Sequence, residues 1–318
     1  MKRNLKMGLA ALAIGLAPGA ALAEWPTDKP ITFVIPYGPG GGFDTIVRVL
    51  APELESRLGT VVTPENIPGA SGTRGGQAVA RADADGYTIG IYNIPGLTVS
   101  QATDTDIGFD LGAVSWIANI ASDRYAIAVK ADSPIQSVQD LCDLGRPIRL
   151  SDTGVDSTSS ITAVISFSII GCDIQNVTGY SGSNETMIAV LRGEVDATLK
   201  PINSLQNYVE SGDLRLIVTL SEESLAEGVP SSTEIGYPEI SGFAINRVVG
   251  GPPDMPAEIV KRLSDTFMEI TASEKFVEWA QGSDTGLLPL DATATAALMD
   301  ELSAFYANYA PILLQSQN

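Results

Sequence analysis

Three short stretches concentrate groups that can hydrogen-bond an anion. The first, Pro36-Tyr37-Gly38-Pro39-Gly40-Gly41-Gly42-Phe43-Asp44, follows the apolar run Ile31 to Ile35. It leads into a segment whose apolar residues, Ile46, Val47, Leu50, Leu54 and Leu58, recur at helical spacing before Gly59. Consecutive glycines let backbone N–H groups turn toward a ligand, and the helix start adds partial positive charge. The second stretch, Pro68-Gly69-Ala70-Ser71-Gly72-Thr73, also opens a helix. The third, Ser151-Asp152-Thr153-Gly154-Val155-Asp156-Ser157-Thr158-Ser159-Ser160, is dense in hydroxyls that donate to a carboxylate or phosphate. Each has a plainer reading as a turn, or as helix caps at Asp44 and at 157–160. Their combination in one chain favours ligand contact. Asn93, closing the strand at Tyr87–Tyr92, offers either an amide to the ligand or a turn.

The missing chemistry is as informative. With no histidine there is no Ser-His or Cys-His pair, no imidazole base and no His-ligated zinc. Two cysteines exclude a four-cysteine metal site. The first glycine loop lacks the Gly-Lys-Ser/Thr ending of a P-loop, and Phe43 occupies the place of the last glycine in a dinucleotide fingerprint. No metal and no cofactor is implied. With 19 basic against 38 acidic residues, nucleic acid is not a partner. A composition of 44% hydrophobic and 18% charged residues excludes a disordered chain and a polytopic membrane protein.

Lys2, Arg3 and Lys6 precede an apolar stretch from Met7 to about Ala21, and Ala21-Leu22-Ala23 has the form of a signal peptidase site. Residues 1–23 read as a signal peptide and the mature chain as starting at Glu24, exported to the periplasm and without a lipid anchor. The apolar run, broken by Pro18-Gly19, is shorter than the roughly 20 residues a span needs. Removing the three basic residues leaves 16 against 38, a mature charge of −22. Such a charge slows anion capture, but surface charges are screened over about 8 Å at physiological salt while nest amides act at contact. Export allows Cys142 and Cys172 to form a disulfide, since both fall at the amino-terminal edge of a strand–helix layer; two buried thiols are the alternative.

Strand candidates are Ile31–Ile35, 61–62, 87–92, 114–120, 125–129, 148–150, 177–180, 195–199, 214–220 and 243–249. Helices are expected at about 73–81, 137–144, 158–170, 184–191, 257–271 and 292–314. This alternation predicts an α/β fold of two units with mostly parallel sheets flanked by helices. Ligands of open α/β sheets sit beyond the carboxyl ends of strands, where all three loops lie.

Several ordered motifs resemble the tripartite tricarboxylate transporter substrate-binding proteins, the Bug family. They are Trp25-Pro26-Thr27-Asp28-Lys29-Pro30-Ile31, the loop Pro39–Asp44, Glu65–Gly72, Ala80–Thr88, Tyr180–Ser183, Gly193–Asp196, Val229–Tyr237 and Pro252–Val260. The resemblance covers essentially the whole mature chain. It implies a two-lobed, type II-like periplasmic binding fold: lobe 1 from 24–123 plus 244–318, lobe 2 from 124–243. Crossings fall near 121–126 and 240–246. It implies a cleft that closes on a small organic mono- or dicarboxylate, aromatic acids included, and delivers it to a membrane transporter of that type. Family members hold a carboxylate with backbone N–H groups and ordered waters, which carries over to Tyr37, Gly40, Gly41, Gly42, Phe43, Asp44, Ser71, Gly72, Thr73 and Ser151 to Thr158, with Thr153, Gly154 and Ser157 among them. The third loop departs from the family's Ser/Gly-rich stretch and His-Leu pair. Leu199 and Lys200 stand where relatives carry an aromatic and an acid. Lys200 is either a partner for the far end of the ligand or a solvated lysine. Tyr37 and Phe43 either stack on a ligand ring or wall the cleft. Arg74 and Arg124 are the basic residues expected nearest the cleft, and neither is assigned to it. The rival readings are a ligand-sensing receptor feeding a sensor kinase and a carboxylate-based periplasmic enzyme. The acids in the ligand loops, Asp44, Asp152 and Asp156, have cap or turn roles, so no catalytic residue is assigned.

Overall fold

The computed structural model describes residues 25–26, 29–155, 157–180, 182–283 and 285–315; the expected signal peptide, Asp156 and the Ser71 side chain lie outside this description. The chain begins as its periodicity predicts. Strand β1 (Ile31–Ile35) passes through the first glycine loop into α1 (Gly42–Leu58), whose apolar stripe is buried and whose end is closed by Gly59 in the left-handed conformation. There follow β2 (Val62–Asn66), α2 (Thr73–Ala80), β3 (Thr88–Ile94), α3 (Gly96–Ala102) and β4 (Ser115–Lys130). Next come α4 (Val138–Cys142), β5 (Ile148–Ser151), α5 (Thr158–Ile170), β6 (Ile174–Val177), α6 (Ser183–Leu191), β7 (Thr198–Pro201), α7 (Ile202–Glu210) and β8 (Leu214–Thr219). The chain ends with β9 (Ala244–Gly251), α8 (Ala257–Thr271), α9 (Glu274–Gly282), β10 (Leu287–Leu290), α10 (Ala292–Ala307) and α11 (Ala310–Gln315).

The two strands expected at 114–120 and 125–129 are one, β4, 16 residues long. Its polar centre, Ser122-Asp123-Arg124, looks like a break in sequence, yet it pairs with Asn246, Ile245 and Ala244 of β9. The amino-terminal part of β4 pairs with β9 and β10, and the carboxyl-terminal part with β7 and β8. One strand therefore runs through both halves of the sheet.

The expected mostly parallel sheets are corrected to a mixed arrangement. Pairs β1–β2, β1–β3 and β5–β6 are parallel, but β9 is antiparallel to β3 and β4, and β7, β8 and β10 are antiparallel to β4. Alternation of strand and helix does not encode direction, and all four strands paired with the long strand β4 run antiparallel to it.

Separate cores lie on the two halves. One packs β1, β3 and the start of β4 against α1 and α8 through Phe33, Leu50, Leu54, Ile117 and Phe267. The other gathers Tyr125, Ile127, Leu150, Ile165, Phe167 and Phe243 around the end of β4 and α5. The helix expected over 292–314 is broken at Asn308-Tyr309, because Pro311 lacks the N–H needed to continue α10 but suits the first turn of α11. Tyr306 and Leu313 then enter the second core beside Phe243, with α11 against α5. Cys142, ending α4, and Cys172, just past α5, form a disulfide with Cα atoms 5.4 Å apart.

Candidate functional site

The first glycine loop is held by Asp44. Its carboxylate accepts the Gly40 N–H at 2.9 Å, the Arg48 Nε–H at 2.9 Å and the Asn66 amide at 2.9 Å. Asn66 also donates to the Tyr37 carbonyl at 2.9 Å, so both ends of the loop are tied to one carboxylate–amide pair. The hydrogen bond from Arg48, helped by Gly40 and Asn66 against the effect of burial, brings the Asp44 carboxyl down to about 2. With φ +82°, Gly40 adopts a backbone that other residues reach only at a cost. No side chain caps α1 at Gly41, and Gly41 and Gly42 are exposed. The first amides of a helix have no intrahelical acceptor, so this loop presents N–H groups and positive helix-end charge outward. Asp44 builds the nest from behind.

Tyr37 connects this loop to two others. Gly72, at φ +101°, comes so close that a Cβ there would lie 3.4 Å from the Tyr37 hydroxyl, which seats the second glycine loop on the first. Asn93 donates its amide to the same hydroxyl. Burial pushes the Tyr37 hydroxyl up to about 12, opposed by the Asn93 bond, so it keeps its proton at neutral pH. Thr73 is half-buried at the start of α2.

The hydroxyl loop is organised from the other side by a buried ion pair. Lys200 Nζ lies 3.3 Å from Asp152 Oδ2, with 2% and 4% of the two side chains exposed. It also donates to Ser159 Oγ at 3.2 Å. Lys200 is therefore not a solvated lysine; burial pushes its ammonium down, and Asp152 opposes this. Asp152 further accepts the Thr153 N–H at 2.6 Å and the Ser157 hydroxyl, while Ser157 Oγ accepts the Ser160 N–H at 3.1 Å as the cap of α5. Ser151 donates its hydroxyl to the Thr186 carbonyl at 2.8 Å. Thr153 is exposed at the rim and Gly154 has open space around it. Thr158 Oγ1 donates to Asn93 Oδ1 at 3.1 Å. Tyr37, Asn93 and Thr158 thus form a continuous polar chain between the glycine loop and the start of α5.

A residue not foreseen from sequence stands beside them. Arg247 on β9 is the cross-strand partner of Asn93, and its guanidinium carbon lies 5.4 Å from the centre of the Phe43 ring. It is ion-paired with Asp123, whose carboxylate also accepts the Gly286 N–H at 2.7 Å and the Asn203 amide at 3.1 Å. Burial pulls the Arg247 guanidinium down to about 10. The signal available in sequence was the pair Asn246-Arg247 inside an apolar strand, where an unpaired charge is costly. Arg124 instead donates to the Ser241 carbonyl at 2.9 Å, and Arg74 packs its stem over Gly69. Phe43 is buried, with Tyr37 at 5.1 Å ring to ring.

Among the described residues no cluster of acids and cysteines is suited to a metal ion, and no helix is long and apolar enough to cross a membrane. The arrangement brings an uncapped helix start and a hydroxyl-rich loop together through Tyr37, Asn93 and Thr158. The family model described as "Tripartite tricarboxylate transporter family receptor" matches residues 46–305. The chain belongs to this family. Among its relatives, the "UPF0065 protein in gbd 5'region" of Cupriavidus necator is 31% identical over 274 residues, covering 84% of this chain and 82% of the relative. The structure of the periplasmic binding protein BugD superposes with a TM-score of 0.79 at 22% identity, covering 90% of this chain and 98% of that one. An R. palustris protein solved with adipate gives a TM-score of 0.78 at 24% identity, with 91% and 97% coverage. This receptor thus has the α/β two-lobed periplasmic binding protein fold that its motifs imply.

Proposed function

We propose that this family member is a periplasmic solute receptor that captures a small organic carboxylate between its lobes and delivers it to a membrane transporter of the tripartite tricarboxylate type. The observation that carries this reading is the meeting of the uncapped glycine loop and the hydroxyl loop at Tyr37, Asn93 and Thr158. The adipate in a structure of the same fold supports the ligand class.

In this reading the amides of Gly41 to Phe43, the loop Ser71 to Thr73, Asn93 and Thr153, Gly154, Ser157 and Thr158 face the ligand, while the Gly40 amide is taken up by Asp44. Asp44, Ser151 and the Asp152–Lys200 pair hold those loops in shape. Lobe 1 comprises 24–123 plus 244–318 and lobe 2 comprises 124–243, with β4 as one crossing and the end of α10 and α11 strapped across to the second core. The chain binds and releases its solute without turnover. Ligand between the lobes shifts an open–closed equilibrium, and the transporter reads the closed form.

The test is thermal unfolding of residues 24–318 against aliphatic and aromatic mono-, di- and tricarboxylates, amino acids, phosphate and sugars. Ligand at 100 times its dissociation constant adds about 2.7 kcal/mol of stability. Stabilisation by one carboxylate subclass is the expected result. A response to phosphate or sugar with none to any carboxylate overturns the reading.

A further inference from the structure

We propose that Arg247 is the charged anchor of the cleft, taking a ligand carboxylate between its guanidinium and the amide end of α1. This rests on the carboxylate-receptor reading above and assigns to it a side chain that backbone amides alone do not supply.

Arg247 is 5% exposed, and its Nε has no hydrogen-bond partner among the described residues. Of its five donors, the one ion-paired is on Nη1, with Asp123. Its Nη2 lies 3.2 Å from where a Cβ on Gly42 would stand, which places the Nε–Nη2 edge of the guanidinium, the edge away from Nη1, at the open start of α1. A buried donor without an acceptor is costly, and a carboxylate lying along the Nε–Nη2 edge and facing the first amides of α1 satisfies Nε and those amides together. A guanidinium can serve two carboxylates at once through separate N–H groups, so Asp123 need not be displaced. Asn93, beside Arg247 across the β3–β9 pair, then links this end of the ligand to Thr158. Phe43 is already packed against Tyr37 and lies under Arg247, so this end of the site takes the carboxylate group and no ring stacks there.

The experiment is titration calorimetry with malate, adipate and benzoate on wild type, Arg247→Met, Asp123→Asn and the double variant. Wild type is expected to bind at least one of the three. Arg247→Met is expected to lose at least about tenfold in affinity, the loss of one charged hydrogen bond. Asp123→Asn keeps or tightens binding, because Arg247 loses its competing partner. The double variant, with both charges of the pair removed, avoids leaving either one buried alone and keeps the test open if Arg247→Met does not fold; it binds as weakly as the single Arg247 variant. Equal weakening by Arg247→Met and Asp123→Asn overturns the proposal, since it would make Arg247 only the structural partner of Asp123. Unchanged affinity in the folded double variant overturns it as well. A wild type that binds none of the three but binds phosphate or sugar fails the carboxylate reading itself, and this inference with it.

Discussion

Thr158, the first residue of α5, donates its hydroxyl to Asn93 Oδ1 at 3.1 Å, and Asn93 passes its amide on to Tyr37. These residues come from opposite halves of the fold, so a side-chain bond joins the elements that carry the glycine loop and the hydroxyl loop. Thr158→Val keeps the shape and removes the donor. Its unliganded form is expected to shift toward the open state, read as a larger radius of gyration in small-angle scattering, with about 1 kcal/mol or less lost in stability. An unchanged scattering profile would show that this bond does not hold the lobes together.

The pH dependence of folding follows from Asp44. Its carboxyl is held near 2, below the ordinary carboxylate value, so the unfolded chain binds more protons than the folded one as pH falls through this window. The stabilisation is complete above about pH 4 and is lost as pH falls through about 2. Asp44→Asn should cost about 1–2 kcal/mol at pH 7, less than the full pKa difference implies because Arg48 is half-exposed. It should also flatten the acid limb of a urea-unfolding series, and a limb as steep as wild type would contradict this role.

Lys200 and Asp152 are expected to behave as a unit. Lys200→Met leaves a buried carboxylate without its cation and should cost about 3–5 kcal/mol in chemical unfolding. The double variant Lys200→Met/Asp152→Asn should recover a large part of that loss. Additive losses in the double-variant cycle would show that the two side chains are not coupled.

The disulfide closes a sequence separation of 30 residues, for which the chain-entropy treatment gives about 3–4 kcal/mol. It joins the carboxyl-terminal end of α5 to α4, whereas Thr158 stands at the other end of that helix. Reduction, or the Cys142→Ser/Cys172→Ser variant, should therefore lower the melting temperature and leave carboxylate affinity within about twofold, the scatter of distant independent sites. A larger loss of affinity would mean that the bridge reaches the cleft.

The parts of the fold legible in sequence are those fixed by local periodicity and punctuation. The run Ile31–Ile35, the glycines after it, the stripe ending at Gly59 and the hydroxyl-rich start of α5 each state their element within a dozen residues. The centre of β4 does not, because Ser122, Asp123 and Arg124 are polar for tertiary reasons: Asp123 meets Arg247, Asn203 and Gly286 from distant parts of the chain. Arg247 was hidden in the same way. The short helix α3 escaped because Gly96, Thr98, Val99 and Ser100 have weak helix propensity, and tertiary packing of Leu97 and Val99 forms it. The burial of Lys200 was not legible, because it depends on pairing with Asp152, a neighbour only in space.

The most direct measurement is a crystal structure of residues 24–318 grown with whichever carboxylate stabilises the protein most. The receptor reading predicts ordered carboxylate density within hydrogen-bond distance of the Gly42 and Phe43 amides on one side and the Thr158 end of α5 on the other. A carboxylate ordered elsewhere, such as the surface groove between Thr98, Trp116 and Met299, with the space between the glycine and hydroxyl loops unoccupied at saturating ligand, would contradict it.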